Sequence, residues 1–315
     1  MHPITALLPV KDAAIYAEAI MNDLRVNLSS QDEAIVIDDN SADDTYELFC
    51  KLIGNDHRFK IIRNLNPGLV NALNLGIAKA KHNWIARFDS DDCYESNRIS
   101  EQRGFLTNEI SCVFTDYTLH DENFNLLTQI PSAIFDPCIK LSLVKNIRTP
   151  HPSVIFSKPK ALLAGGYRSS EFPAEDLGLW LRMSQYGRLI SIPKNLLHYT
   201  VRSTSISSVK QAEMVNAREY LIRNSSVLIE SFRDVESNWR KYFQYYKSFD
   251  QSVERKLLTL NEYRLTGRIL DLSYKKTLLK MMVRVFIGMK WVFPVFKLLT
   301  GKKRLDRTRT TLKVS

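Results

Sequence analysis

The chain has 315 residues, of which 44% are hydrophobic and 10% aromatic, and its net charge is +10. This composition excludes a disordered protein and is enough for one large α/β domain with an appendage. Lys and Arg interrupt the longest hydrophobic region, so neither a signal peptide nor a membrane-spanning helix is expected, and a cytoplasmic protein is predicted. The four cysteines have no metal-binding or disulfide spacing.

Strand-like and helix-like segments alternate in the first third of the chain. Strands are predicted at Thr5–Val10, Ala34–Ile37, Phe59–Ile62 and Trp84–Phe88, and helices at Tyr16–Leu28, Asp43–Leu52, Gly68–Ala80 and Arg98–Leu106. Such alternation predicts βαβ units with a mainly parallel sheet covered by helices. After Ser208 the sequence becomes helical, and its clearest segments are Lys210–Phe232 and Asn238–Tyr246.

Two acidic clusters follow predicted strands, namely Asp38-Asp39 and the run Asp89-Ser90-Asp91-Asp92. One interpretation is structural, because Asp ends strands, forms Asx-turns and caps helices. The other is a ligand site, because ligands bind at the carboxyl ends of strands in open α/β sheets. Packed carboxylates repel one another, and oxygen ligands without His or Cys suit Mg²⁺ or Mn²⁺ that also holds phosphates.

Seven sequence blocks occur in an order that resembles a known family. They are PVKDAAIYAEAI, VIDDNSADDT, NPGLVNALNLGIAKAKHNWIARFDSDD, NRISEQ, HPSVIF, LLAGGYR and AEDLGLWLRM. Together they resemble family-2 glycosyltransferases, and the resemblance covers roughly residues 5–207. The resemblance implies an α/β, Rossmann-like GT-A fold with a mainly parallel central sheet. It also implies an inverting transferase that takes a sugar from a UDP-sugar and requires Mn²⁺ or Mg²⁺.

The resemblance also implies which residues form the site for the sugar donor. It places Pro9 and Val10 in the nucleotide pocket and Asp39 at the uracil edge, while Asp38 orders that loop. Asp89 and Asp91 match the DxD pair, in which Asp91 binds the metal directly and Asp89 lies nearer the ribose or sugar. Asp92 is expected to cap the following segment. Arg87 either approaches the phosphates or pairs with the DxD carboxylates.

Asp176 matches the catalytic base of the family. The chemistry requires such a group, because a carboxylate must take the proton of the attacking hydroxyl while a metal stabilises the departing diphosphate. Glu175 is the alternative base. A third interpretation is that both acids only cap the following helix, where the helix dipole favours negative charge.

Two positions depart from the family pattern. Gly178 stands where a second acid is common, and Arg202 stands where a His often binds metal or phosphate. An arginine cannot ligate a cation, but it can pair bidentately with a diphosphate. His198 is out of register and is expected to be a packed or surface residue. His151 either touches the donor or acceptor or has a structural role.

The positive charge belongs to the C-terminal segment. From Lys275 to Ser315 there are twelve Lys or Arg and one acid, so residues 1–274 carry about −1 of the net charge of +10. Between Lys275 and Lys297 the basic residues fall within about one half of a helical wheel, and the Leu, Met and Phe residues lie mostly away from the centre of that half. This pattern predicts a helix in the membrane interface. Docking on the catalytic domain is the alternative, and nucleic-acid binding is disfavoured because no base-reading fold accompanies the segment.

These observations predict a GT-A catalytic domain at residues 1–208 and a helical region at residues 209–315 whose basic segment, about 275–315, associates with an anionic membrane surface. The predicted enzyme is a hexosyltransferase at the inner face of the cell membrane. It moves Glc, Gal or an N-acetylhexosamine to a polyprenyl-diphosphate-linked saccharide in O-antigen or capsule synthesis. The alternatives are an inactive UDP-sugar-binding module, suggested by Gly178 and Arg202, and a nucleotidyltransferase, which does not need the Asp176 block.

Overall fold

A computed structural model of the chain describes residues 2–130 and 149–225, together with Ser132, Asp136, Ile139, Lys140 and Leu143. The predicted helices Asn238–Tyr246 and Lys275–Lys297 lie outside the described residues, as does the end of the predicted helix Lys210–Phe232. No helix among the described residues combines the length and the apolarity needed to span a bilayer.

The strands of the described residues join in one mixed sheet. They are β1 (Ile4–Val10), β2 (Glu33–Asp38), β3 (Phe59–Arg63), β4 (Trp84–Arg87), β5 (Cys93–Tyr94), β6 (Ile110–His120), β7 (Leu126–Ile130), β8 (Ile155–Ser157) and β9 (Arg188–Thr200). Their order is β3-β2-β1-β4-β8-β6-β9-β5, and β7 pairs with β6. Strand β1 is parallel to β2 and β4, and β2 is parallel to β3. The predicted strands and their parallel arrangement are therefore confirmed for the first four strands.

Beyond β4 the sheet is mixed rather than parallel. Strand β8 is antiparallel to both β4 and β6, while β9 is parallel to β6 and antiparallel to β5. The sequence patterns do not predict strands β5 to β9. Strands β5 and β8 have only two and three residues, and segments this short carry no measurable periodicity.

Helices cover both faces of the sheet. They are α1 (Ala17–Asn27), α2 (Thr45–Ile53), α3 (Leu69–Lys79), α4 (Arg98–Arg103), α5 (Lys158–Leu163), α6 (Glu175–Met183), α7 (Ile206–Val209) and α8 (Gln211–Arg223), with 3-10 turns at Ala14–Tyr16, His151–Ser153 and Ser169–Glu171. Successive side chains of a strand point to opposite faces. Leu7 accordingly packs in one buried cluster with α3 and α6, and Leu8 packs in the other with α1 and α2.

The predicted boundaries of the first four helices lie within three residues of the observed ones, and two of the differences are instructive. The helix expected from Tyr16 begins at Ala17, after a 3-10 turn, and the helix expected to reach Leu106 ends at Arg103. Gly104 follows Arg103, and glycine is a weak helix former because its backbone loses the most freedom on ordering. Neither difference moves the strand ends that carry the acidic clusters.

Candidate active site

The carboxyl ends of β1 and β2 meet at one edge of the sheet. Pro9 and Val10, the last residues of β1, are buried. The Asp39 N–H, just after β2, donates to the Val10 carbonyl oxygen at 2.8 Å. The structure therefore brings together the three residues predicted to line the nucleotide pocket.

The carboxylate of Asp39 organises the loop that follows β3. It accepts hydrogen bonds from Asn64 Nδ2 at 2.7 Å and from the Gly68 N–H at 2.8 and 3.0 Å. Asp38 Oδ1 accepts one longer bond, of 3.3 Å, from the Ser41 N–H. The sequence predicts that Asp38 orders this loop, but in the structure Asp39 makes more of the hydrogen bonds that hold it. Contact between Asp39 and a nucleotide base stays a prediction.

The loop after β4 carries the second acidic cluster and is held by Arg87 and Tyr94. Arg87 is buried, and its Nη2 donates to Asp89 Oδ1 at 2.6 Å. The Asp89 N–H donates to the Tyr94 hydroxyl at 2.6 Å, and this hydroxyl donates to the Asp89 carbonyl oxygen at 3.2 Å. Of the two interpretations of Arg87, pairing with a DxD carboxylate is the one that the structure contains.

Asp91 and Asp92 lie close to Asp89, and the pKa of each is raised. Burial, reinforced by the negative charge of Asp89, raises the pKa of Asp91 to about 6. Burial, with Asp89 and Asp91, raises the pKa of Asp92 well above its usual range. Asp92 Oδ1 accepts from the Thr200 N–H at 2.8 Å, and its Oδ2 has no hydrogen-bond partner within the described residues. Asp92 therefore anchors the loop to β9 instead of capping the next segment.

The oxygen ligands that this cluster offers fit a cation that receives only some of its ligands from the protein. The described residues contain no group of three or more His, Cys, Asp or Glu side chains arranged to hold a metal ion. Asp91 and Asp89 offer carboxylate oxygens whose mutual repulsion a divalent cation relieves. Mg²⁺ and Mn²⁺ accept oxygen ligands from substrate phosphates and water. The residues present are thus compatible with a cation that binds together with a diphosphate.

Arg98, which the sequence did not single out as a site residue, contacts this loop from the protein interior. It is fully buried, and its Nη2 donates to the carbonyl oxygens of Arg87 and Val154 at 2.9 and 3.2 Å. Its guanidinium carbon lies 4.3 Å from the ring centroid of Phe88 and 4.9 Å from that of Tyr94. Burial lowers the pKa of Arg98 to about 10, so it stays charged at neutral pH.

Arg202 lies beside Asp91 after the end of β9. Its Nη2 donates to the Asp91 carbonyl oxygen at 3.2 Å, and its Nε is 3.7 Å from Asp91 Oδ2. This Nε has no hydrogen-bond partner within the described residues. The guanidinium carbon stacks 4.2 Å from the ring centroid of Tyr16, and Nη1 contacts the Tyr16 hydroxyl. The structure therefore brings Arg202 to the DxD cluster, together with an aromatic partner that sequence reasoning missed.

Glu175 and Asp176 form the first turn of α6, beside the same cluster. Glu175 is buried, and burial together with Asp176 raises its pKa to about 8. The charges of Arg87 and Asp89 also influence the pKa of Glu175, so the start of α6 lies within electrostatic range of the DxD loop. Asp176 is half-buried, and its Oδ1 accepts from the Leu177 N–H at 2.6 Å. Glu175 therefore holds its proton at neutral pH.

The loop between α5 and α6 is hydrogen-bonded to α3 through Tyr167. Asn74 holds Tyr167 through two hydrogen bonds, of 2.9 Å to its carbonyl oxygen and 3.0 Å from its N–H. The Tyr167 hydroxyl lies 2.7 Å from His151 Nε2. Burial, with Arg87 nearby, lowers the pKa of His151 well below its usual range. His151 is thus a neutral, hydrogen-bonded residue that packs under the site.

Gly178 leaves room for a carboxylate from another segment. A Cβ built at position 178 would overlap the carboxylate of Glu171. Glu171 forms an ion pair with Arg182, and Arg182 in turn donates from Nε to the Ala164 carbonyl oxygen at 2.8 Å. The space that a side chain at position 178 would need is therefore filled by the Glu171 carboxylate, which no sequence signal indicated.

His198 bonds to residues outside the acidic cluster, in keeping with the packed or surface position expected for it. Its Nε2 is 2.9 Å from Glu95 Oε1, and its Nδ1 is 2.8 Å from Thr118 Oγ1. The residues that sequence reasoning missed at the site are Tyr16, Tyr94 and Arg98, and each contacts a residue that it did find. Tyr16 and Arg98 lie inside the recognised sequence blocks, which was the one signal available for them.

Comparison with protein families and curated proteins gives concordant matches. The family model described as Glycosyl transferase family 2 matches residues 5–158. The chain is 31% identical over 204 residues to UDP-Glc:alpha-D-GlcNAc-diphosphoundecaprenol beta-1,3-glucosyltransferase WfaP of Escherichia coli, and the match covers 62% of this chain and 73% of that protein. It is 29% identical over 184 residues to an Escherichia coli UDP-Gal:alpha-D-GlcNAc-diphosphoundecaprenol beta-1,3-galactosyltransferase, covering 55% of this chain and 64% of that protein. In a longer glycosyltransferase of Rickettsia bellii the match covers only 30% of the relative.

Solved structures share the fold at low sequence identity. Staphylococcus aureus TarS 1-349 in complex with UDP-GlcNAc aligns with a TM-score of 0.57 and 15% identity, over 85% of this chain and 81% of that one. The mannosyltransferase PcManGT from Pyrobaculum calidifontis, in complex with GDP-Man and Mn²⁺, aligns with a TM-score of 0.57 and 13% identity, over 96% of this chain and 88% of that one.

Proposed function

The chain belongs to glycosyl transferase family 2, and we propose that it transfers a hexose or N-acetylhexosamine from a UDP-sugar to an acceptor hydroxyl with inversion at the anomeric carbon. The observation that carries this proposal is the meeting of three groups at one sheet edge. These are the nucleotide-side residues around Asp39, the DxD pair Asp89 and Asp91, and the acids that begin α6.

The donor is proposed to lie along the ends of β1, β2 and β4. Pro9, Val10 and Asp39 would hold the uridine, and the diphosphate would extend toward Asp91. Asp89 would bind the ribose or the sugar. Support for a UDP-sugar comes from the two Escherichia coli relatives whose names specify UDP-Gal and UDP-Glc, and from the TarS complex with UDP-GlcNAc.

Asp91 is proposed as the principal ligand of Mn²⁺ or Mg²⁺, and Asp89 as the second carboxylate of the pair. When bound, such a cation supplies Lewis-acid stabilisation of the departing diphosphate. Its support is the burial of Asp91 beside the negative charge of Asp89, which together raise the pKa of Asp91, and the Mn²⁺ in the structural neighbour from Pyrobaculum calidifontis. Arg87 is bonded to Asp89 and has two buried donors, Nε and Nη1, without partners among the described residues, so it would orient Asp89 and face the donor.

Asp176 is proposed as the base that removes the proton of the acceptor hydroxyl. A base must be ionised before the reaction, and burial keeps Glu175 protonated up to a pKa of about 8. Glu175 is therefore the weaker candidate at neutral pH. The start of α6 also suits a base, since a helix terminus fixes the direction of the side chain and its dipole favours the carboxylate form.

The acceptor is proposed to be a saccharide carried on a polyprenyl diphosphate, in the synthesis of a surface polysaccharide such as O-antigen or capsule. The relatives named above act on GlcNAc-diphosphoundecaprenol, which supports this class. An acceptor of this kind lies in the membrane. We therefore propose that the protein works at the inner face of the cell membrane, held there by residues 275–315, which carry the basic charge of the chain.

The test is acceptor-dependent release of UDP. UDP-Glc, UDP-Gal, UDP-GlcNAc and UDP-GalNAc are each supplied with Mn²⁺ and a GlcNAc-diphosphate-lipid analogue. Release with one donor only when the acceptor is present, with a disaccharide-diphosphate-lipid product of inverted configuration by NMR, supports the proposal. Binding of UDP without release from any donor supports the inactive module. Pyrophosphate formed from a nucleoside triphosphate and a sugar phosphate supports a nucleotidyltransferase.

A further inference from the structure

The three arginines around the acidic cluster differ in how their donors are used. Arg87 bonds directly to Asp89 at 2.6 Å, and Arg98 is buried among backbone carbonyl oxygens and aromatic rings. Arg202 instead faces Asp91, the proposed principal cation ligand, at 3.7 Å from Nε to Oδ2. That distance exceeds a hydrogen bond. The guanidinium and the Asp91 carboxylate therefore attract each other only by charge, while Nη2 donates to the Asp91 carbonyl oxygen and Nε has no hydrogen-bond partner within the described residues.

A guanidinium in this place competes with a divalent cation for the same carboxylate. The two positive groups repel each other strongly at such short range, because the site is partly shielded from water. A cation can therefore occupy Asp91 fully only if Arg202 finds another anion. A nucleotide diphosphate provides one, since its oxygens match the planar fork of arginine bidentately.

The Tyr16 ring holds the guanidinium of Arg202 in place beside Asp91. The guanidinium stacks on this ring at 4.2 Å, and its Nη1 contacts the Tyr16 hydroxyl, while the side chain of Arg202 is only 16% exposed. Stacking leaves the edge of the guanidinium free to exchange one anion for another without leaving the aromatic face.

We propose that Arg202 is the resident counter-ion of Asp91 in the donor-free protein and passes to the donor diphosphate when the cation binds, with Tyr16 as its positioning residue. The inference rests on the proposed donor and cation. It has a reciprocal consequence: because Arg202 changes partner, cation and nucleotide diphosphate each strengthen the binding of the other, and part of this coupling belongs to Arg202.

The experiment is a titration of the full chain with Mn²⁺, in which the electron paramagnetic resonance signal of free Mn²⁺ gives the dissociation constant with and without UDP. The variants are Arg202→Met, Arg202→Lys and Tyr16→Leu. Arg63→Met is the matched control, since Arg63 also stacks on a tyrosine, Tyr46, at 4.0 Å and pairs with a carboxylate. Strand β3, which ends at Arg63, is three strands away from β4.

Without UDP, Arg202→Met is expected to bind Mn²⁺ at least about fivefold more tightly than the wild type, because Asp91 loses its counter-ion. Tyr16→Leu keeps that charge but removes the ring that holds it, so its gain in Mn²⁺ affinity is expected to be smaller than that of Arg202→Met. The gain in Mn²⁺ affinity produced by UDP is expected to fall at least about fivefold in Arg202→Met. Arg202→Lys keeps the charge but not the fork, so it is expected to lose part of the UDP gain. Arg63→Met is expected to match the wild type in both arms.

Equal Mn²⁺ affinity of Arg202→Met and wild type without UDP would overturn the inference, as would an unchanged UDP gain in that variant. In either case Mn²⁺ binding itself would remain, so the proposed function would stand. A wild type that takes up no Mn²⁺ in either arm would overturn both the inference and the proposed cation. Thermal unfolding of each variant shows that the protein titrated is folded.

Discussion

Asp91 carries the first prediction at the scale of single residues. Burial and the charge of Asp89 raise its pKa to about 6, so the carboxyl is protonated below that pH. Only the ionised form attracts a cation, and Mn²⁺ affinity without UDP should therefore fall about tenfold for each pH unit below about 6. Titration of Mn²⁺ from pH 5 to pH 8 measures this. A flat profile, or one shared by Asp91→Asn, would contradict the assignment of Asp91.

Glu175 gives a prediction about stability. Its ordinary pKa of 4.5 rises to about 8 in the folded protein, chiefly through burial. Between these pH values the folded protein keeps a proton that the unfolded chain has lost, so the free energy of unfolding decreases as the pH rises through this window. Glu175→Gln removes this effect, and its advantage over the wild type should grow by more than about 1 kcal/mol from pH 5 to pH 8.

Urea unfolding of Glu175→Gln and wild type at pH 5 and pH 8 checks that prediction. Glu109→Gln is the control, because the side chain of Glu109 is 75% exposed and its substitution leaves no buried group altered. A difference between Glu175→Gln and wild type that is the same at both pH values would show that Glu175 is ionised in the folded protein.

The sequence predicts acids and arginines at the site better than it predicts their partners. Asp89 and Asp91 follow directly from a strand end, and Arg202 was noted because it stands where the family often has a His. Tyr16, by contrast, lies 186 residues from Arg202. Nothing in a local pattern reveals a stacking partner at that separation, because the contact depends on how β9 returns to the sheet.

At the scale of elements, Gly178 decides how α6 packs against the loop before it. A Cβ at this position overlaps the Glu171 carboxylate, which must then leave its ion pair with Arg182. Gly178→Ala should therefore lower the free energy of unfolding by about 1–3 kcal/mol, although alanine is the better helix former. Gly104 is the matched control, since a Cβ there meets nothing within 4 Å.

Thermal or urea unfolding of Gly178→Ala and Gly104→Ala, side by side, provides the measurement. Gly104→Ala should be neutral or slightly stabilising, because it only reduces the freedom of the unfolded chain. If the two substitutions had equal effects, Glu171 would not fill the space beside Gly178.

The elements differ in how far periodicity determines them. Strands β1 to β4 are separated by helices with clear apolar stripes, and all four were predicted to within one residue at each end. Strands β6 and β9 are long but lie in a stretch where no regular helix alternation marks them, and their bulged pairing breaks the period. Long-range pairing, more than local preference, forms that half of the sheet.

At the scale of the whole molecule, the charge distribution leads to a prediction about membranes. Residues 275–315 carry twelve Lys or Arg against one acid. Each basic residue near an anionic surface contributes about 1 kcal/mol, so a few engaged residues would hold the protein there. The full chain should float with vesicles that contain phosphatidylglycerol but not with phosphatidylcholine vesicles, and deletion of residues 275–315 should abolish flotation. Equal flotation of the deletion variant would place the membrane contact elsewhere.

Family membership and the N-terminal sheet could be predicted from sequence because seven ordered blocks carry them. The acceptor could not be predicted from the same blocks, since side chains from distant segments meet only in the folded protein, as Tyr167 and His151 do. The N-terminal half of the sheet thus follows from local patterns, whereas its second half and the contacts around the site depend on pairing between distant segments.

The central claim is that Asp176 is the base of a sugar transfer at this site. The most direct measurement compares acceptor-dependent UDP release by Asp176→Asn, Glu175→Gln and the wild type at pH 7, with UDP binding measured in parallel. We predict that Asp176→Asn loses release by at least about a hundredfold while it still binds UDP, because only the proton acceptor is removed. Glu175→Gln should retain turnover, since the wild-type side chain is already neutral. Undiminished release by Asp176→Asn would contradict the account.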